Sequence, residues 1–172
     1  MRRRFERRGE GRGATFVDDY AHHPTEIAVT LRAARMWESS WSGGGLKPVR
    51  IVAVFQPHRY SRTRVMWREL GESLSAADVV VVTDVYGAGE EPIPGVTGKL
   101  VVEALAEAAP GKRVVYLPRR PDVAPFLAGQ VRGGDLVITL GAGDITMVGT
   151  ETLDRLQEAR GASATMGTSR EG

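Results

Sequence analysis

The sequence predicts an α/β protein with a doubly wound, mostly parallel sheet of about six strands and one antiparallel edge strand. First, five short runs are rich in valine and isoleucine and do not alternate between apolar and polar residues, which is typical of strands buried on both faces. Second, an amphipathic helical pattern follows almost every run, as in right-handed βαβ units. Third, a chain of 172 residues that is 42% hydrophobic can bury one substantial core.

Each element is predicted from its own pattern, in chain order. The core strands are expected at Ala14–Val17, Val49–Phe55, Asp78–Thr83, Arg113–Leu117 and Asp135–Leu140. The helices are expected at Pro24–Glu38, Thr63–Leu74, Gly98–Ala108, Pro121–Gly129 and Asp144–Glu158. A sixth strand, Arg2–Arg8, reaches the first core strand through a short "GEGRG" turn, which places it antiparallel at an edge. This alternation describes a Rossmann-like sheet.

The division of the chain follows from composition. Residues 1–160 are predicted to form one domain, and residues 161–172 a disordered tail, because the tail has no periodic apolar face. Ser39–Pro48 reads as a flexible loop before the second core strand. A domain whose first strand begins directly after the initial methionine looks like a piece of a longer protein.

Composition and charge limit the classes of function. The chain has no cysteine, so it can form neither disulfides nor thiolate metal sites. No apolar run is long enough to cross a membrane, and the charged N-terminus lacks the apolar stretch of a signal peptide, so a cytoplasmic protein without a membrane partner is expected. Six arginines among the first twelve residues suggest either a nucleic-acid-binding arm or a polar edge strand. The edge strand is favoured, without a nucleic-acid partner, because no aromatic residues interleave a second basic patch.

Polar segments follow four of the predicted strands. They are "DDYAHHPTEI" (Asp18–Ile27), "QPHRYSRT" (Gln56–Thr63), "DVYGAGEEP" (Asp84–Pro92) and "GAGD" (Gly141–Asp144). In open α/β sheets, ligands bind beyond the carboxyl ends of the strands. The chain has only three histidines, and all three lie in the first two segments. We therefore expect these loops to converge on one pocket.

The residue types of these segments suggest ligand chemistry rather than a metal centre. Pro24 and Glu26 are explained as the start of a helix, whereas Asp19, Tyr20 and His22 are not. Two arginines three residues apart, Arg59 and Arg62, suit a carboxylate or phosphate, although a solvated loop with a surface ion pair remains an alternative.

The glycine turn before Asp144 would hold an anion or, as we favour, pack the strand tightly against the next helix. No metal site is predicted, because the side chains of His22 and His23 diverge and no third ligand has suitable spacing.

Together these segments, with "GDLVITLGAGDIT", resemble the C-terminal domain of the Mur ligase family, and "VFQPHRYSRT" resembles the UDP-N-acetylmuramate–L-alanine ligases within it. The resemblance implies an ATP- and Mg²⁺-dependent ligase that forms an amide between L-alanine and UDP-N-acetylmuramate in peptidoglycan precursor synthesis. It also implies roles for single residues. Asp19 would contact the ATP ribose, while Tyr20, His22, His58, Arg59 and Arg62 would bind the substrates. Of these, His22, His58, Arg59 and Arg62 would take part in catalysis.

One departure from the family limits that expectation. The sequence contains no G-x-x-x-x-G-K-[ST] phosphate loop, so the N-terminal and central ligase domains would hold the main phosphate and metal ligands. The chain alone is therefore expected to be inactive. Two alternatives stay open: a stand-alone module that binds a nucleotide or an amino acid, and the C-terminal domain of a related murein-peptide ligase.

Overall fold

The fold is described by a computed structural model, which covers residues 4–40 and 50–167. The strands are β1 (Glu6–Gly11), β2 (Ala14–Asp19), β3 (Arg50–Phe55), β4 (Val79–Val82), β5 (Arg113–Tyr116) and β6 (Asp135–Leu140). The helices are α1 (Pro24–Ser40), α2 (Tyr60–Ser73), α3 (Lys99–Ala108), α4 (Val123–Gln130) and α5 (Met147–Gly167), with single 3₁₀ turns before the last two at Arg120–Asp122 and Asp144–Thr146.

The strands form one sheet in the order β1-β2-β6-β3-β4-β5. All neighbouring pairs are parallel except β1 and β2, which are antiparallel. The chain passes from β2 to β3 and leaves between them the place that β6 later fills. The predicted fold class is confirmed, and the loops after β2, β3, β4 and β6 all leave the same edge of the sheet.

The core lies in two layers, one on each face of the sheet. Helices α1, α2 and α3 cover one face, and α4 and α5 cover the other. Within β3, Ile51 and Phe55 point into the first layer, while Val52 and Val54 point into the second. Both sets are buried, which explains why this strand shows no alternation in sequence.

The edge strand differs from its prediction. The predicted strand Arg2–Arg8 and its "GEGRG" turn are wrong in position: β1 runs through Gly11, and the turn consists of Arg12 and Gly13, both with positive φ (51° and 76°). A side chain at Gly11 would lie 2.9 Å from a methyl group of Leu156 in α5. The glycines therefore belong to the strand, because the helix packs directly on its backbone.

Two chain segments extend beyond their predicted limits. Helix α5 continues to Gly167, so residues 161–167, which the sequence predicts to be disordered, are helical in the structure. Alanine is the strongest helix former, and the two alanines among these residues favour a helix without an apolar face. The division at residue 160 stays a prediction, and residues 168–172 lie outside the described part. Of the predicted loop Ser39–Pro48, the first two residues complete α1 and the rest is not described.

Arginines near the N-terminus interact within the protein. Asp18 is fully buried; it pairs with Arg8 at 3.1 Å and accepts hydrogen bonds from Thr139 and Thr146. Further contacts join Arg4 to Glu26, Arg7 to Glu10 and Arg12 to the Ala128 carbonyl. These contacts favour the edge-strand interpretation over a nucleic-acid arm. No described helix is long and apolar enough to cross a membrane.

Candidate functional site

A cluster of rings forms at the carboxyl edge of the sheet, where the loops after β2, β3 and β4 meet. We call this set the ring cluster; its members are Tyr20, His22, His23, His58 and Tyr86. The ring centroids of His22 and His58 are 5.6 Å apart, and the His58 ring stacks on Tyr86 at 5.8 Å with an interplanar angle of 12°. The expected convergence of the first two polar segments is therefore observed.

Asp19 holds the first loop in place. Its Oδ2 accepts a hydrogen bond from the Phe5 backbone N–H and its Oδ1 from that of Ala21, both at 2.8 Å. The residue is only 3% exposed. The carboxylate thus ties the end of β2 to the segment before β1, and the ribose contact expected of Asp19 stays a prediction.

The hydrogen bonds of His22 define one tautomer. Its Nδ1 lies 2.9 Å from the carbonyl oxygen of Tyr20. A carbonyl can only accept, so Nδ1 carries the proton, and in the neutral ring Nε2 is left as an acceptor. The ring of Tyr20 meets that of His22 edge-on at 5.1 Å, and the Tyr20 side chain is half exposed.

Glu26 supports the loop from the first turn of α1. Its Oε2 accepts hydrogen bonds from the backbone N–H groups of His22 and His23, at 3.2 and 3.3 Å. Burial alone would raise the pKa of this carboxyl, but these donors and Arg4 outweigh it and hold the pKa below its usual value. Glu26 therefore acts as a charged anchor for the histidine loop.

Arg59 has a strained backbone at the start of the second loop. Its φ of 70° and ψ of 131° lie outside the regions that L-residues normally adopt. Such a conformation costs about 1–3 kcal/mol and persists only where its surroundings enforce it. The Arg59 N–H donates to the Tyr86 carbonyl at 2.8 Å, while its own carbonyl accepts from the backbone N–H and the hydroxyl of Thr63. The site enforces this geometry with three hydrogen bonds.

His58 adopts the other tautomer. Nη1 of Arg62 lies 3.3 Å from Nδ1 of His58, and a guanidinium can only donate, so Nδ1 accepts and the neutral ring carries its proton on Nε2. The pKa of His58 is lowered by burial and by the charges of Arg62, His22 and Arg59, against a smaller opposing effect of Glu90. His58 is therefore neutral near pH 7.

The two arginines of this loop leave their charge available. Across residues 4–40 and 50–167, no carboxylate lies within ion-pair distance of either Arg59 or Arg62. This observation counts against the surface-ion-pair interpretation. The charge of Arg62 also lowers the pKa of His23, together with burial, which is the larger cause. Its guanidinium therefore acts on both histidine loops.

Two residues that sequence reasoning did not single out complete the site. Gln56, which is 4% exposed, donates to Asp144 at 2.8 Å and accepts from the Ile145 N–H at 3.2 Å. Tyr86 packs against Gly143, where an added Cβ would lie 2.6 Å from the tyrosine Cγ. Both residues lie in polar segments identified in the sequence, so their location at the sheet edge could be predicted. Their contacts could not. The glycine turn before Asp144 therefore allows close packing, which is the role that the sequence favours for it.

The described residues do not provide a metal site. No group of three or more histidine, aspartate or glutamate side chains in the described ranges is arranged to hold a metal ion. The residues present therefore do not fit Mg²⁺, and no step through the ion is derived from this chain.

The structure is a doubly wound α/β domain with histidines and arginines gathered at the carboxyl edge of its sheet. Residues 3–143 match the sequence profile of the family described as "Mur ligase, glutamate ligase domain". This match covers most of the chain, and the protein therefore belongs to that family.

Named relatives are similar over nearly the whole chain. A protein of Rubrobacter xylanophilus is 52% identical over 159 residues, and one of Kineococcus radiotolerans is 54% identical over 157 residues. Both are named UDP-N-acetylmuramate–L-alanine ligase, and each match covers 91% of this chain. The chain spans only about a third of the length of these relatives, 33% and 31%.

Solved structures share the fold. The UDP-N-acetylmuramate–alanine ligase of Thermotoga maritima superimposes with a TM-score of 0.70 at 27% identity, covering 91% of this chain and 30% of that one. A domain from a Haemophilus ducreyi protein, named as a UDP-N-acetylmuramate:L-alanyl-γ-D-glutamyl-meso-diaminopimelate ligase, gives 0.63 at 25% identity. That match covers 89% of this chain and 99% of the other, so a domain of this kind has been solved by itself.

Proposed function

We propose that this chain is the C-terminal domain of an ATP-dependent, amide-forming ligase that joins L-alanine to UDP-N-acetylmuramate in peptidoglycan precursor synthesis. The observation that carries the proposal is the pair of guanidiniums, Arg59 and Arg62, which have no ion-paired carboxylate among the described residues and lie near the imidazoles of His22 and His58. The names of the relatives support the choice of substrates. The proposal includes a cytoplasmic location.

The arginines and histidines suit the two ends of an amino acid. A guanidinium binds a carboxylate through two parallel hydrogen bonds, so Arg59 or Arg62 would hold the alanine carboxylate. An attacking amine must be neutral and close to the acyl carbon, and the unprotonated Nε2 of His22 would accept a hydrogen bond from it. The N–H at Nε2 of His58 and a guanidinium would offset negative charge on the tetrahedral centre.

ATP and Mg²⁺ enter the proposal through other domains. ATP supplies the phosphoryl group that activates the carboxylate of the nucleotide sugar. The phosphates and Mg²⁺ would be held by the N-terminal and central ligase domains. Asp19 is kept as a ribose contact, in which a ribose hydroxyl would use a lone pair that remains on a carboxylate oxygen already accepting a backbone hydrogen bond.

A chimeric ligase tests the function. The C-terminal third of the Rubrobacter xylanophilus ligase is replaced by this chain, and phosphate release from ATP is measured with UDP-N-acetylmuramate and either L-alanine or the tripeptide L-alanyl-γ-D-glutamyl-meso-diaminopimelate. We expect release that depends on L-alanine. The matched variants are Arg62→Ala, expected to be defective, and Arg64→Ala, an exposed arginine on the same helix that should behave as the unmutated chimera.

Two outcomes would contradict the proposal. Turnover with the tripeptide in preference to L-alanine would favour the murein-peptide ligase. Equal activity of the Arg62→Ala and Arg64→Ala chimeras would show that Arg62 does not bind the amino acid.

A further inference from the structure

Tyr86 is a member of the ring cluster to which the proposed function assigns no role. It lies in the loop after β4, in "DVYGAG", and is 40% exposed. Its ring lies nearly parallel to that of His58, with centroids 5.8 Å apart. Aromatic pairs at this separation are stabilised beyond the area they bury, and the stacked face of the imidazole is shielded from water.

The backbone of Tyr86 is fixed to the loop that carries His58. The Tyr86 N–H donates to the Pro57 carbonyl, and the Tyr86 carbonyl accepts from the Arg59 N–H, both at 2.8 Å. These two bonds surround His58 in sequence and form an isolated parallel bridge between it and Tyr86. They place the tyrosine in register with the histidine and help to enforce the strained backbone of Arg59.

The loop after β6 also limits the position of the Tyr86 side chain. A Cβ at Gly143 would approach the Tyr86 Cβ to 3.0 Å and the Cγ to 2.6 Å, which no real side chain does. The missing side chain leaves the room that the ring occupies. Tyr86 is therefore packed against the Gly143 backbone as well as against the His58 ring, so the stack depends on three loops of the sheet edge.

The orientation of the His58 ring decides what its nitrogens do. Nδ1 faces Arg62 at 3.3 Å, and a half-turn about the Cβ–Cγ bond would move Nδ1 away from the guanidinium and bring a C–H group towards it. The only described donor to Nδ1 is Arg62, and 3.3 Å is a long hydrogen bond that constrains the ring weakly. A second restraint is needed to fix the plane of the ring, and the Tyr86 stack supplies it. Within that plane, the Arg62 contact selects the orientation that turns Nδ1 towards the guanidinium.

We propose that Tyr86 is a positioning residue for the amino-acid site: its ring stacks on His58 and holds that imidazole in the plane in which Nδ1 meets Arg62, so that Nε2 carries the proton. The importance of this for turnover rests on the proposed function, whereas the orientation itself is a property of this chain alone. The aromatic ring of Tyr86 positions the imidazole, and its phenolic hydroxyl is not needed for this role.

NMR spectroscopy of this chain, labelled with ¹⁵N in its histidines, tests the inference. With only three histidines, the two ring ¹⁵N shifts of His58 report its tautomer and its pKa. In the unmutated chain we expect the pattern of a neutral ring protonated at Nε2. Tyr86→Phe should keep this pattern. Tyr86→Leu should make the two shifts converge, because both tautomers and orientations become populated.

The same titration gives a second readout. The groups that act on His58 are the guanidiniums of Arg62 and Arg59, the imidazole of His22 and the carboxylate of Glu90. Loss of the stack exposes the ring and weakens its contact with Arg62, and both changes raise its pKa, so Tyr86→Leu should shift the His58 pKa upward. Tyr20→Leu is the matched control, because Tyr20 contacts the ring of His22; it should leave the His58 tautomer unchanged.

Two results would overturn the inference. One is a His58 ring protonated at Nδ1 in the unmutated chain, a measurement that needs no variant to fold. The other is Tyr86→Leu with unchanged His58 shifts and pKa while the backbone spectrum remains that of the folded protein. Neither result depends on ligase activity, so they are distinct from a failure of the chimeric ligase.

Discussion

His22 and His58 offer different hydrogen-bonding groups within one cluster. Nδ1 of His22 donates to a backbone carbonyl, whereas Nδ1 of His58 accepts from Arg62. In the neutral state the remaining nitrogens are therefore an acceptor and a donor, respectively. Such a pair suits a ligand with an amine at one end and a developing negative charge at the other, which a single histidine could not serve.

Substitution of Arg62 should separate its possible roles. If Arg62 holds the alanine carboxylate, Arg62→Ala in the chimeric ligase removes a charge-assisted contact and lowers kcat/KM for alanine by about 30- to 1000-fold, or ~2–4 kcal/mol. Arg62→Lys should recover only part, because lysine keeps the charge and loses the planar fork. Steady-state kinetics with alanine varied, at saturating ATP and nucleotide sugar, provide the measurement.

The changes in kcat and in KM for alanine distinguish the possible roles of Arg62. A fall in kcat with an unchanged KM for alanine would place Arg62 at the reacting centre instead. A change of less than about threefold would make it a surface arginine, since exposed ionic contacts contribute about 0–1 kcal/mol, and would remove it from the site.

The pKa of His58 predicts how stability depends on pH. It lies below the ordinary 6.5 when folded, chiefly because of burial, so between the two values the unfolded chain binds more protons. The contribution of His58 to the unfolding free energy is therefore complete above about pH 6.5, and it is lost as the pH drops below this value. His58→Gln should flatten this fall in urea unfolding measured between about pH 7 and 5.

The Glu26 carboxylate contributes little to the change in stability between about pH 7 and 5. The pKa of Glu26 lies below its ordinary value of 4.5, so its contribution is lost only at lower pH. His23, whose pKa is also lowered by burial and by Arg62, accounts for the slope that remains in His58→Gln. An identical slope in the two proteins would show that His58 is not shielded as described.

The candidate site was predictable in its location but not in its contacts. Strand order and the rule of the carboxyl edge were enough to bring His22 and His58 together. The role of Tyr86 depends on stacking across two loops, and that of Gln56 on a buried amide that joins two turns. Neither the stack of Tyr86 nor the contacts of Gln56 can be recognised from a fixed spacing in the sequence. Asp19 shows the reverse: its residue type suggested a ligand, while its two oxygens hold backbone N–H groups.

At the level of elements, the central strands are the best predicted and the edge strand the worst. β6 matches its prediction at both ends, because a strand buried on both faces needs a continuous apolar run. β1, with the sequence "ERRGEG", carries no apolar residue at all. It is held by its pairing with β2 and by the leucines of α5 that fill the space over its glycines. Those are tertiary causes, which the local pattern does not contain.

Gly71 tests the packing between α2 and α3. An added Cβ would lie 2.5 Å from the Ala104 Cβ, 2.7 Å from the Leu105 nitrogen and 2.8 Å from the Val101 carbonyl oxygen. Alanine gains about 1 kcal/mol of helix propensity over glycine, but backbone atoms cannot move aside, so overpacking of about 1–3 kcal/mol should win. We expect Gly71→Ala to lower the unfolding free energy in urea denaturation.

Gly129, near the end of α4, provides the matched control. Nothing lies within 4 Å of the Cβ position there, so the same substitution should raise the stability by up to about 1 kcal/mol. Stabilisation by Gly71→Ala would show that the two helices can separate without cost, contrary to the close contact described.

At the scale of the whole molecule, the residues that stabilise the fold and the residues of the candidate site lie in different parts. The core fills both faces of the sheet, and the buried pair of Asp18 and Arg8 joins the edge strand to it. The ring cluster lies at the carboxyl edge beside the guanidiniums of Arg59 and Arg62, and no carboxylate in the described residues forms an ion pair with either of them. The side chains proposed for the amino-acid site lie in this chain, whereas the phosphate-binding loop of an ATP-dependent ligase is absent from its sequence.

The chain by itself should therefore fold cooperatively as a monomer and yet have neither ATPase nor ligase activity. The Haemophilus ducreyi domain, of which 99% is matched, supports independent folding. The test is phosphate release and amide formation by the purified chain with ATP, UDP-N-acetylmuramate and L-alanine, against the double variant Asp19→Ala, His22→Ala. We expect equal background rates, since without phosphate-binding groups the carboxylate cannot be activated. Turnover by the unmutated chain above the double variant would contradict the proposed division of labour between domains, because the ring cluster would then be acting on a nucleotide held by this chain alone.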